Sequence, residues 1–79
     1  MPRPIYTQDI DVAAAVMTAT GHQPEICFRD GDQLATFELP GDELTINLLA
    51  RYSAGDLTLN VKRFASCRNL LFKKLKGVR

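Results

Sequence analysis

The last nineteen residues carry seven basic side chains and no acidic one, and their apolar residues recur at helical spacing. Such a segment folds only by laying one side against a core and leaving the other in water. Advancing 100° per residue from Val61 gathers Cys67, Leu71, Phe64, Leu75, Val61, Phe72 and Ala65 into an arc of roughly 160°. Lys62, Ser66, Asn69, Lys73 and Lys76 lie opposite, with Arg63 and Lys74 on one flank of that polar side. Asn60 suits the N-cap, and Leu59 and Phe64 have the spacing of a hydrophobic staple. The remainder of the chain is acidic. Residues 1–60 carry three basic side chains (Arg3, Arg29, Arg51) against nine acidic ones, a balance of −6, while residues 61–79 stand at +7. The formal net charge of +1 conceals this division.

The other elements follow from caps, turns and periodicity. Pro2 and Pro4 keep the start extended, and Ile5-Tyr6 can add a short edge strand. Thr7 is the expected N-cap of a first helix, with Asp9 in its first turn. Ile10, Ala13, Ala14, Met17 and Thr20 form its apolar stripe, and Gly21 stops it. Because the stripe is mostly alanine, this helix can approach its support closely. Residues 25–29 and 33–39 are strand-like around Asp30-Gly31, a dipeptide that favours a two-residue type I′ turn. That turn sets Ile26 opposite Ala35 and gathers Ile26, Phe28, Ala35, Phe37 and Leu39 on one face. A three-residue turn would pair Ile26 with Thr36 and split the face. Asp42 caps a second helix whose stripe is Leu44, Leu48, Leu49 and Tyr52, and Gly55 ends it. Leu57 and Leu59 alternate with Thr58 as a brief extended stretch. The expected fold is therefore α+β: a small antiparallel sheet, made of a hairpin with short edge strands, packed against three helices.

Seventy-nine residues make one domain, 1–79, with 1–4 and 77–79 as flexible ends. A chain of this size hides only about 60–65% of its unfolded surface, so its stability margin is thin. No apolar run approaches 18 residues, and Met-Pro-Arg-Pro lacks the apolar core of a signal peptide. These features predict a cytoplasmic protein with no membrane contact, in which Cys27 and Cys67 are reduced thiols.

Tyr6, Thr7, Asp9, Ala13, Ala14, Gly21, Phe37, Tyr52, Gly55, Phe64, Leu70 and Leu71 together give an extended start and Tyr-Thr-x-Asp. An alanine-rich helix closed by Gly, a Phe in a second hairpin strand, Tyr-x-x-Gly and a basic helix with Leu-Leu follow. This order, over about residues 5–76, resembles a family of small bacterial and phage domains of unknown function. The resemblance implies a compact α+β domain and no particular activity. The Asp-Gly turn and the two cysteines depart from its pattern.

Chemistry-bearing constellations are sparse. Metal binding needs several His, Cys or carboxylate ligands together, and only His22 and Cys27 are near each other in sequence. His22 is the sole histidine, and Ser53, Ser66 and Cys67 have no evident base beside them. Gly31, Gly41 and Gly55 are isolated turn residues rather than a phosphate loop. The expectation is no enzyme, no cofactor and no metal. What remains is a non-catalytic binding module. Its anion- or partner-binding residues are Lys62, Arg63, Arg68, Lys73, Lys74 and Lys76, facing an acidic protein surface or a nucleic-acid backbone. The alternative is a protein–protein interaction or homodimerisation domain without nucleic-acid binding. Lys62 and Arg63 sit in the first turn of the last helix, where cations oppose the dipole. Arg68 falls in the middle of the apolar arc. It either packs its stem on the core with its head on a carboxylate, or is kept at a groove for an anion. Leu70 and Ile46 point away from their helices' stripes and could form a self-association patch.

Overall fold

A computed structural model of the chain describes residues 3–28 and 35–78. Strand β1 (Ile5–Thr7), helix α1 (Ile10–Thr20), strands β2 (Glu25–Cys27) and β3 (Thr36–Leu39), and helices α2 (Glu43–Ser53) and α3 (Val61–Val78) follow in order. The strands form one antiparallel sheet in the order β1-β3-β2, so the fold is the expected small α+β arrangement. Residues 57–60 hold no strand and belong to the loop between α2 and α3. Residues 1, 2 and 79, among the ends expected to be flexible, lie outside the described residues, as does the Asp30-Gly31 turn.

The register of the hairpin differs from the expected one by two residues. Ile26 lies opposite Phe37 and Cys27 opposite Thr36, rather than Ile26 opposite Ala35. Side chains alternate with period two, so a slip of two keeps every residue on its face. Ile5, Ile26, Phe37 and Leu39 therefore share the core side. The other side carries Tyr6, Glu38 and Glu25 in one row, with the Tyr6 hydroxyl donating to Glu38 Oε1 at 3.0 Å.

Helix α1 is the centre of the molecule. Ala13 to Thr18 are all buried, because α1 packs on β1 and β3 and also carries both α2 and α3. Alanine on several sides permits that close approach. Its N-cap is Asp9, whose carboxylate accepts from the Asp11 N–H, and not Thr7. Thr7 instead accepts from the Asp9 N–H through Oγ1, one step earlier. Gly21 closes the helix at φ 79°, donating its N–H to the Met17 carbonyl.

Helix α2 is capped by Asp42, which accepts from the Thr45 N–H at 2.8 Å. It ends in a Schellman arrangement: the Gly55 N–H donates to the Tyr52 carbonyl and the Asp56 N–H to that of Arg51. The buried stripe is Thr45 and Leu48 with Leu49 beside them, whereas Leu44 is exposed. Helix α3 docks on α1 through Leu71, with Phe64, Cys67 and Leu75 packed around it. Cys27 and Cys67 are free thiols.

Candidate anion-binding helix

Asn60 starts α3 as expected, its Oδ1 accepting from the Arg63 N–H at 3.0 Å. No acid stands in the first turn. Leu71 is fully buried and Leu70, next in sequence, is 37% exposed, which fixes the helix about its axis. The buried side is centred on Leu71 and ends at Arg68. Val61, Ala65 and Phe72, which were expected on the apolar arc, are exposed. The helix is thus turned so that one edge of that arc is open to solvent.

The six candidate cations divide into three situations. Arg68 Nε donates to Asp11 Oδ1 at 2.6 Å, and its guanidinium carbon lies 4.8 Å from the Phe72 ring centroid. Its head therefore reaches a carboxylate of the same chain. Lys74 donates from Nζ to Gln23 Oε1, a neutral amide oxygen. Lys62, Arg63, Lys73 and Lys76 are exposed, and among the described residues none has a carboxylate within ion-pair distance. Lys62 and Arg63 border an open groove of about 440 Å³ with Asn60, Ser66 and Cys67. At 1.5 Å rise per residue, the Lys62/Arg63 and Lys73/Lys76 pairs are centred about 18 Å apart along the axis.

On the far side of the same helical turn lies a feature that sequence reasoning missed. An apolar cleft of about 350 Å³ is lined by Ala15, Tyr52, Gly55, Leu57, Leu59, Val61 and Phe64. Helical spacing could not reveal it, because its walls come from α1, the end of α2, the following loop and the start of α3. Leu59 and Phe64, the expected staple pair, both line it. Burial, and then the charges of Asp9 and Asp11, push the Tyr52 phenol above its ordinary pKa.

His22 is exposed just past α1, and its backbone N–H donates to Thr20 Oγ1 at 3.2 Å. Its charge, after two larger effects from Thr45, helps hold the Asp42 carboxyl below its ordinary pKa. The larger of those is the Thr45 backbone N–H. The Thr45 hydroxyl is close enough to add to it, yet forms no hydrogen bond of good geometry, so the backbone bond is the firm one. Among the described residues no three His, Cys, Asp or Glu side chains converge as metal ligands, and no helix is long and apolar enough to cross a membrane.

Comparison of the chain with family models, with curated proteins and with solved structures gave no match.

Proposed function

We propose that this chain is a non-catalytic binding module whose α3 meets an anionic partner, with a nucleic-acid backbone as the polyanion to test first. The observation that supports this reading is the row of exposed cations. Lys62, Arg63, Lys73 and Lys76 lie over about 21 Å of helix without carboxylate partners among the described residues. Lys62 and Arg63 also oppose the helix dipole with no acid in their turn to offset them. An anion at the Lys62/Arg63 groove would relieve that repulsion. Arg68 belongs to the scaffold in this reading, and Lys74 is a secondary contact.

Gel-shift titrations with single-stranded DNA, duplex DNA and RNA at low and moderate salt test it. Four cations on four phosphates give a log–log salt slope near −3.6 on duplex, and no sequence preference is expected. Replacing Lys62 and Arg63 together by glutamine should make the slope shallower by about 2. The absence of any shift at low salt would remove nucleic acid and leave an acidic protein surface as the partner.

A further inference from the structure

Phe72, expected on the apolar arc, stands instead at the surface of the cationic helix. Four aromatic side chains are exposed among the described residues, Tyr6, Phe28, Tyr52 and Phe72, and of these Phe72 is the one on α3. Its ring is 39% exposed. The Arg68 guanidinium carbon lies 4.8 Å from the ring centroid, and the Arg68 head is held in turn by Asp11. The ring is therefore braced on one side by a guanidinium that has its own anchor.

Cations flank this ring on the other side. At about 100° and 1.5 Å per residue, Lys76 lies about 40° round the helix from Phe72, away from Arg68, and about 6 Å along it. Asn69 lies about 60° round in the same direction, one turn nearer the N-terminus, and Lys73 about 100° round. All three are exposed, and neither lysine has a carboxylate within ion-pair distance among the described residues. An aromatic face beside free ammonium groups suits a strand whose bases are unpaired. The phosphates meet the cations while a base lies on the ring, and the Asn69 amide can hydrogen-bond a base edge.

A duplex fits the same surface less well. Its bases are already stacked on one another, and an apolar side chain reaches a base face only by unstacking a step, which costs free energy. Duplex DNA thus gains the lysine contacts alone, whereas a single strand gains the ring as well.

We propose that α3 takes single-stranded nucleic acid, with one base stacked on Phe72 and the phosphates beside it on Lys73 and Lys76. This inference rests on the anion-binding reading of α3 and narrows it. Arg68 acts here as a positioning residue, holding the ring without meeting a phosphate.

Fluorescence anisotropy tests the proposal, with the full chain titrated into a labelled oligothymidylate of about 16 nucleotides and into a duplex of the same length, over a range of salt. F72L keeps the apolar bulk beside Arg68 and removes the π face. It should weaken strand binding at least about fivefold at every salt, the lower bound for one base stack. The log–log salt slope should stay the same, because no phosphate contact is lost. F72W should restore the affinity, since an indole also stacks. K76Q should instead make the slope on the strand shallower by about 0.7. Circular dichroism checks that each variant is folded. The proposal is overturned if F72L binds the strand as wild type does, if it loses strand and duplex equally, or if wild type binds duplex and not the strand. In each of those cases the anion-binding reading stands. Binding of neither probe at the lowest salt sinks both the proposal and the nucleic-acid reading.

Discussion

Replacing Leu71 by alanine should be among the most damaging single changes in α3, while the same change at Leu70 should be nearly silent. Leu71 is fully buried, in one core cluster with Ala13, Ala14, Val16, Met17, Phe37 and Leu39, where α3 packs on α1. The substitution removes three carbons, about 2.4 kcal/mol of transfer free energy at 0.8 kcal/mol each. A cavity term adds to this, and it is large here because two of the neighbours are already alanines and cannot reach into the space. About 4 kcal/mol is the expected loss, within the range seen for buried leucines. For a chain of 79 residues total stability is about 4–12 kcal/mol, so the variant approaches unfolding. The melting temperature should fall by about 15–30 °C. Leu70 is 37% exposed, and alanine is the better helix former, so L70A should cost under about 1 kcal/mol. Urea and thermal melts followed by far-UV circular dichroism measure both. If L71A does not fold, L71M supplies the graded comparison, at under about 1.5 kcal/mol. Equal losses for L70A and L71A would refute the orientation of α3, and with it the exposure of the lysines.

Three further outcomes follow from single contacts. A Cβ added at Gly41 would lie 1.7 Å from the Arg3 carbonyl oxygen, a backbone atom that cannot swing aside. G41A should therefore cost about 1–3 kcal/mol and expose the amides of β1 to hydrogen exchange first; an unchanged melt would contradict the close approach. Asp42 has a carboxyl pKa below 3.8, so its cap stabilises the fold above that value and loses effect as pH falls through the lower, folded-state value. D42N should flatten the part of the acid-unfolding profile below about pH 4, and a profile identical to wild type would show that the cap is not titrating. The Arg68–Asp11 pair is 41% and 47% exposed, so a double-mutant cycle of R68M and D11N should give a coupling of about 0.2–1 kcal/mol; a value above about 2 kcal/mol would mean the pair is far better shielded than its exposure suggests.

Local signals in the sequence located most elements because each states its own chemistry. Asn60, Asp42 and Gly21 cap their helices as expected. What went astray is what local signals leave open. A period-two pattern fixes which face a strand residue occupies but not its partner, so Ile26 meets Phe37 instead of Ala35 and stays on the core side, while Phe28, expected on the same face, is 39% exposed. In α2 the core direction is set by Thr45, Leu48 and Leu49, and at about 100° per residue Leu44 lies roughly 90° from the middle of that set, so an every-fourth-residue stripe starting at Leu44 points to one side of the core. Thr7 and Asp9 are both good capping residues two apart, and the choice between them depends on where β1 ends. For α1 the composition indicated small residues but not that three neighbours would use them.

The candidate site was legible in the same partial way. Sequence alone placed the cations on one helix. Which of them stay open to solvent depends on where the acids of the body are used. Asp9 and Asp42 accept backbone N–H groups as caps, Glu38 accepts from Tyr6, and Asp11 takes Arg68. Caps must lie at helix starts, and Glu38 is set by the pairing of β3, so these carboxylates are positioned by the fold and not by the lysines. Among the described residues Arg68 alone is brought to one, because it lies at the edge of the buried side of α3 where that helix meets α1. The rotation of α3 that gives Arg68 its carboxylate also lifts Val61 and Phe72 out of the core. The internal ion pair and the exposed apolar edge therefore have one cause: the core beneath α3 is narrower than the helix's apolar arc.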